Sequence, residues 1–416
     1  MRAILAVAFS IVLVIAAPIV ANGRAGEVHQ DVHGPNRSTA QSRRTGDPAL
    51  ARMIGQMLIV GFAGRTKRSR GARRIARLLG DGTIGGTILM RRNIASRRTM
   101  KSLTGFFHAA TGDLPPLIGI DQEGGYVQRL GPRNGYRRYP SAARIARGGG
   151  PERARRIYGN LAAELAGLGI NLNFGPVVDL NTNPRNPVIG RLRRSYSANP
   201  ATVTRFARAF IAAHHAAGIL TAAKHFPGHG SSWADSHKRF VDLTRSWQAK
   251  ELAPYRALAK SGGPDMVMVG HLYHPRITGR TGDASRRRLP ASLSRRAIEG
   301  ELRTRLGFRG VVITDDLEMA AIRRHFGLRE SVIRAIRAGN DILLFSNAAG
   351  DSHLANRLQA IIAKAVRDGR LTRTRIRRSF ERIKALKRRL ARLTRSAVRA
   401  RNSHRTRLPG GARRSP

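Results

Sequence analysis

Cysteine is absent from the 416-residue chain, which excludes a disulfide framework and any thiolate metal site. Stability and chemistry must come from packing and from oxygen and nitrogen groups. Aromatic residues make up only 5% of the chain, and no DNA- or RNA-binding motif accompanies them, so specific nucleic-acid binding is not expected. Acids are the other shortage. Lys and Arg number 76 against 25 Asp and Glu, a formal charge of +51, and no acid follows Glu381. Such a surface attracts polyanions, among them nucleic acid, anionic lipid and anionic cell-wall polymer. An ordinary enzyme decorated by an arginine-biased proteome has the same composition.

The length allows one large α/β domain or two ordinary ones. Residues 1–23 begin Met-Arg and then run without charge to Ala21, the order of a secretory signal, so export is expected, to the periplasm or the medium. The uncharged run is almost membrane-length, which leaves an uncleaved N-terminal anchor as the other reading. A polar linker, 24–47, separates it from a compact region over 48–385. Beyond it, Leu386, Leu390, Leu393 and Ala397 fall at helical spacing and predict a last amphipathic helix, followed by a disordered basic tail to residue 416.

Within 48–385, short apolar runs bounded by turn residues fall at 57–62, 83–90, 116–121, 170–179, 220–224, 266–271, 310–315 and 341–345. Segments of helical period lie between them: in 154–168, Ala154, Ile157, Tyr158, Leu161, Leu165 and Leu168 share one face. Eight strands alternating with helices, most of them apolar throughout, predict a parallel sheet buried on both faces and closed into a (β/α)8 TIM-type barrel. Chemistry then belongs at the C-terminal strand ends. Those ends carry Asp121, Asp179, Lys224 with His225, His271 and Asp315. Asp179 and His271 are expected to be hydrogen-bonded barrel residues rather than catalysts.

The densest concentration is 224–237, KHFPGHGSSWADSH. Pro227, Gly228 and Gly230 disfavour regular structure there, so the stretch reads as a loop carrying ionisable groups. Three chemistries compete for it. His225, His229, Asp235 and His237 are all donors for a metal, but Pro227 and Gly228 interrupt the histidine pair and no Glu follows the first His, so no metal is expected. A basic anion-binding module accounts for the charge but not for the acids at the other strand ends. Acid–base and nucleophilic catalysis accounts for both. Asp235 can orient the His237 imidazole and favour its charged form, and Asp315 offers a shielded carboxylate nucleophile. Retaining glycoside hydrolysis needs such a pair. Taken singly, Asp235 and His237 read as an exposed polar loop, and Asp315 with Asp316 as a helix N-cap.

At these residues the sequence resembles glycoside hydrolase family 3, in its β-N-acetylhexosaminidase branch. The matching stretches are 54–62, 120–129, 186–190 with 194–196, 224–237 and 307–319, and they span roughly residues 50–350 in the family's order. The resemblance implies a two-step retaining mechanism with Asp315 as nucleophile and His237, paired with Asp235, as acid/base. It implies that Asp121, Arg129, Arg194, Lys224 and His225 hold a terminal N-acetylglucosamine. The chain departs from the family pattern at Tyr126, where arginine is usual, and at Arg191-Leu-Arg193, which lengthens the turn before Arg194. The expected activity is an exo-β-N-acetylglucosaminidase acting on peptidoglycan fragments or chitooligosaccharides, without metal or organic cofactor. A β-glucosidase-type exo-hydrolase and a non-catalytic polyanion-binding wall protein are the alternatives.

Overall fold

The computed structural model describes residues 47–110, 114–279 and 288–406. The expected secretory segment, all but the last residue of the linker, and residues 407–416 of the basic tail lie outside the described residues. No described helix is long and apolar enough to cross a membrane.

Each of the eight apolar runs holds one strand, the fifth extending two residues past its run: β1 Leu58–Val60, β2 Gly86–Leu89, β3 Leu117–Ile120, β4 Leu172–Asn173, β5 Leu220–Phe226, β6 Met266–Val269, β7 Val311–Thr314 and β8 Leu343–Phe345. Neighbours in sequence are neighbours in the sheet and all pair in parallel, and β1 also pairs with β8, Leu58 opposite Leu343. A parallel bridge from Ile313 to Ile342 completes the ring. Every residue of these strands is buried, because helices cover the outside while the side chains of the opposite strands fill the inside.

The covering helices are α1 Arg70–Gly80, α2 Arg97–Ala109, α3 Pro151–Gly167, α4 Pro200–Ala216, α5 Ala253–Lys260, α6 Arg296–Arg305, which is wound as a π-helix, α7 Leu328–Ala338 and α8 Leu354–Arg367. Their ends follow local chemistry. The Asn199 side chain caps α4 by accepting from Ala201 and Thr202 N–H, with Pro200 at the first position, where its missing donor costs nothing. Gly339 ends α7 at φ +118°, a conformation that favours glycine. In α3 the expected stripe Ala154, Tyr158, Leu161 and Leu165 is buried, each large side chain contributing on the order of 2 kcal/mol.

The long C-terminal helix, α9 Arg373–Thr406, crosses the N-terminal face of the barrel. It begins earlier than the spacing from Leu386 suggests and runs straight through residue 385. Ile376 and Ile383 extend the buried stripe of Leu386, Leu390 and Ala397. Polar anchors reinforce it. Ser379 Oγ and Arg382 bond the buried Asp341 at 2.7 and 3.1 Å, Arg389 Nε meets the buried Asp265 at 2.6 Å, and Lys387 Nζ donates to Gln56 Oε1 and to the Gly85 carbonyl at 2.6 and 2.9 Å.

Candidate active site

The opposite, C-terminal face gathers the charged groups. Asp121 follows β3 directly. Its Oδ1 accepts from Lys224 Nζ at 2.7 Å and its Oδ2 from Arg129 Nη2 at 2.9 Å. Lys224 also meets Glu123 Oε1 at 2.8 Å, and Arg194 grips both oxygens of Glu123 at 2.8 Å, the two-pronged geometry that suits a guanidinium. Burial pushes these carboxyls toward neutrality, but the cations outweigh it: Arg194 and Lys224 hold Glu123 down at about 2, and Lys224 and Arg129 hold Asp121 lower still. Burial likewise opposes the Lys224 charge, and Asp121 and Glu123 restore it. The result is a buried lattice of two anions and three cations, ionised throughout, open on the side of Asp121.

Lys224, His225 and Phe226 belong to β5, which therefore runs past the expected start of the loop; the peptides Lys224–His225 and Phe226–Pro227 are cis. His225 Nδ1 donates to Asp179 Oδ2 at 2.7 Å, while its Nε2 lies 3.4 Å from Arg194 Nη2. Asp179 also accepts the backbone N–H groups of His225 and His229 on Oδ1. It is the hydrogen-bonded barrel residue that its position predicted, and it ties the loop to β5. His271 fills a similar role. Its Nε2 donates to the Asp316 carbonyl at 2.9 Å, so Nδ1 accepts from Ser292 Oγ at 2.8 Å, and burial lowers its pKa.

The loop then folds tightly on itself. The His229 ring is pinned between the hydroxyls of Ser232 and Ser236 at 2.8 and 3.1 Å, and burial pushes it down to about 4, keeping it neutral. Gly230 is obligatory, since a Cβ there would fall 1.6 Å from the Leu180 carbonyl oxygen. The loop's far end is exposed. His237 Nδ1 donates to Asp235 Oδ1 at 2.9 Å, and its backbone N–H bonds the same oxygen at 2.8 Å. Burial raises Asp235, but these two donors outweigh it and hold the carboxyl ionised. With Nδ1 committed, Nε2 is the nitrogen left to exchange a proton with a substrate.

Asp315 ends β7. Its backbone N–H bonds the Val269 carbonyl at 3.0 Å and its Oδ1 accepts from Asp316 N–H at 2.8 Å. Burial disfavours its charge, but the imidazoles of His225, His271 and His237 draw it below the ordinary carboxylate range. Asp316 is its opposite. Burial pushes it up to about 6, although it accepts from the Glu318 and Ser346 N–H groups. Of the two adjacent aspartates, Asp315 is the stronger anion and Asp316 the local cap. Among the described residues, no group of three or more His, Asp or Glu side chains is arranged to hold a metal.

A carboxylate and an Asp–His pair, with a cation-held aspartate at the strand ends of the same (β/α)8 barrel, are suited to chemistry on a polyhydroxylated substrate. The model of the glycosyl hydrolase family 3 N-terminal domain matches residues 49–386. The chain belongs to glycosyl hydrolase family 3. It is 34% identical over 376 residues to β-hexosaminidase A of Pseudoalteromonas piscicida, covering 82% of this chain and 61% of that relative. It is 38% identical over 291 residues to the β-hexosaminidase LpqI of Mycobacterium tuberculosis, covering 67% of this chain and 70% of that one. Among solved structures it resembles the family 3 β-N-acetylglucosaminidase of a Paenibacillus species, with a TM-score of 0.74 at 34% identity over 84% of this chain and 68% of that one. It also resembles the β-N-acetylhexosaminidase of Beutenbergia cavernae, with a TM-score of 0.72 at 29% identity over 82% and 99%. The chain thus spans about three fifths of the first relative's length.

This family 3 domain brings Asp121, Arg129, Arg194, Lys224 and His225 into one bonded cluster and sets Asp235 against His237. Arg194, directly after the turn 191–193, sits in this cluster on Glu123, and Tyr126 is a surface side chain, 63% exposed. Glu123 was not singled out from the sequence, although it anchors both Arg194 and Lys224. Its signal was present two residues after Asp121 in a strand-end stretch, where a second carboxylate calls for a second cation.

Proposed function

We propose that this glycoside hydrolase is an exported, retaining exo-β-N-acetylglucosaminidase that removes single residues from the non-reducing ends of peptidoglycan fragments or chitooligosaccharides. The observation that carries the reading is geometric: Asp315, directly after β7, is a carboxylate whose Oδ1 takes a backbone donor, on the barrel face that also carries the Asp121 cluster and the Asp235–His237 pair. An ionised carboxylate in that place is suited to attack an anomeric carbon. The relatives named β-hexosaminidase and β-N-acetylglucosaminidase supply the sugar.

In this reading Asp315 attacks C1 to form a glycosyl ester while His237 gives its Nε2 proton to the departing glycosidic oxygen. Asp235 steadies the imidazolium before transfer. His237, now neutral, takes a proton from water as the water attacks C1, and the ester bond breaks to regenerate Asp315. Asp121 accepts from sugar hydroxyls through the lone pairs that Lys224 and Arg129 leave free, those two cations donate to ring substituents, and His225, whose Nδ1 proton goes to Asp179, presents Nε2 as an acceptor. Arg194 acts through Glu123. A histidine in the acid/base position does not repel an incoming anion, so phosphate is admissible in place of water. Export rests on the N-terminal pattern. The excess of 51 positive charges is read as a tether to anionic wall polymer or lipid headgroups.

Turnover of 4-nitrophenyl N-acetyl-β-glucosaminide, compared with the β-glucoside, tests the activity, and the anomer first released, followed by NMR, tests retention. Activity on the glucoside alone, or inversion, overturns the respective part. Absence of both activities favours the polyanion-binding alternative.

A further inference from the structure

Beneath the loop that carries Asp235 and His237 lies a carboxyl that the reaction does not use. Glu251 is 1% exposed and sits just ahead of α5. Its Oε1 accepts from Gln248 N–H at 3.3 Å, as a helix-capping group would. Its Oε2 faces the loop. A Cβ on Gly228 would fall 2.6 Å from that oxygen, so the loop backbone rests directly on the carboxyl. Glu251 Oε2, the neighbouring Ser231 Oγ and the Tyr255 hydroxyl are all buried, with no well-formed hydrogen bond among the described residues. Three unsatisfied polar atoms in one buried place are costly.

The surroundings favour the neutral acid. Burial is the largest influence, and the Asp179 carboxylate adds repulsion; Ser231, Gly230 N–H and Gln248 N–H only partly compensate, so the carboxyl is pushed up to about 7. Tyr255, on α5, is held far above the phenol range by burial, Asp179 and Glu251. His229, bonded through its N–H to Asp179, is held neutral. Neither of these groups supplies the charge that an ionised Glu251 would need.

We propose that Glu251 is a positioning residue for loop 227–237: its protonated carboxyl seats the loop by donating to Ser231, and its ionised form unseats it. The inference rests on the reading of His237 as acid/base. The coupling is direct because the loop is stiff: Trp247 Nε1 holds the Pro227 carbonyl at 3.1 Å, Asn186 Nδ2 holds the His229 carbonyl at 2.7 Å, and the Ser236 hydroxyl joins His229 to the residue before His237. A shift at Gly228 and Ser231 is passed on to Asp235 and His237. Activity is then lost above neutrality because the loop leaves its seat.

The chain's two tryptophans, Trp233 and Trp247, stand on the loop and at its base, so intrinsic emission reports the seating without any substrate. The experiment follows emission and kcat/KM on the aryl N-acetylglucosaminide from pH 5 to 9 in wild type and Glu251→Gln, which keeps the helix cap but cannot ionise. The wild type is expected to change in both readouts with a midpoint of about 7, and the variant to lose the emission change and to move its alkaline limb upward by at least one pH unit. At pH 6 the two should agree within about threefold, equivalent to roughly 0.65 kcal/mol. An emission titration unaltered by Glu251→Gln overturns the proposal, whatever the activity. A wild type inactive on the substrate overturns the reading of the site instead, and emission still decides the role of Glu251.

Discussion

Both faces of this barrel bury aspartates among cations, yet they use them differently. On the N-terminal face, each oxygen of Asp265 and Asp341 is engaged: Asp265 by His215, Thr221 and Arg389, Asp341 by Arg303, Val312 N–H, Ser379 and Arg382, and both side chains are fully buried. On the C-terminal face Asp121 takes one donor on each oxygen and its side chain stays 16% exposed, and Asp315 takes one backbone donor on Oδ1. A carboxylate whose lone pairs are all occupied is an anchor. One with room left is available for a ligand. Occupancy of the oxygens, more than burial or charge, sets Asp121 and Asp315 apart from these anchors and from Asp179 and Glu123, which are anchors on their own face.

The sharpest break of this comparison is Asp315→Asn. An amide cannot form the glycosyl ester, so kcat should fall by about three orders of magnitude or more, equivalent to roughly 4 kcal/mol of transition-state stabilisation, while the thermal midpoint holds or rises. Equal loss from Asp316→Asn with Asp315→Asn active would transfer the role to the neighbouring cap. Asp341→Asn is the mirror experiment. Leaving Arg303 and its companions without their counter-charge should cost about 3 kcal/mol in a urea titration, with kcat of the folded fraction unchanged. A catalytic defect of the size of Asp315→Asn would erase the distinction between the faces.

His237→Ala should cost about 100-fold on substrates with poor leaving groups and under about tenfold on activated aryl glycosides, which need little acid assistance. Equal losses on both would make His237 structural. A pH series separates the two kinds of buried carboxyl. Glu123, lowered from 4.5 to about 2 on folding, contributes stability that is complete above pH 4.5 and lost as pH falls through about 2. Glu251, raised from 4.5 to about 7, contributes stability that is complete below pH 4.5 and lost as pH rises through 7. Thermal midpoints should therefore become less acid-sensitive in Glu123→Gln and less alkali-sensitive in Glu251→Gln; parallel curves for both variants would refute the opposite signs. The smallest effect belongs to the tail. Removing residues 399–416 should change kcat on a small neutral substrate by less than about twofold, while co-sedimentation with anionic polymer weakens and falls with salt. Salt-independent binding would remove the tethering role.

The barrel was legible because period and burial coincide: runs such as 266–271 and 310–315 are apolar on both sides, which only a covered parallel sheet satisfies. The site's members were legible as unusual polar groups at strand ends. Their pairing was not. Nothing local says that Glu123 bonds Arg194, 71 positions away, or that Asp179 holds both His225 and His229, because those contacts depend on which strand ends become neighbours on closure. The early start of α9 was hidden for a related reason. Arg375, Ser379 and Arg382 look like solvated polar groups until Asn340 and Asp341 are placed beside them.

The closure that joins β1 to β8 also governs how the chain can be made. Leu58 finds its partner only at Leu343, so one edge of β1 waits while 285 further positions are synthesised, on the order of tens of seconds at typical rates of elongation. The barrel floor waits longer, since Gln56 and Gly85 are covered only when Lys387 arrives. Until then the nascent chain presents an apolar strand with unsatisfied backbone donors, the kind of edge that recruits chaperones or other unfinished chains. A ribosome stalled before codon 343 should therefore display a protease-sensitive product, and one stalled with residue 390 outside the exit tunnel a resistant one.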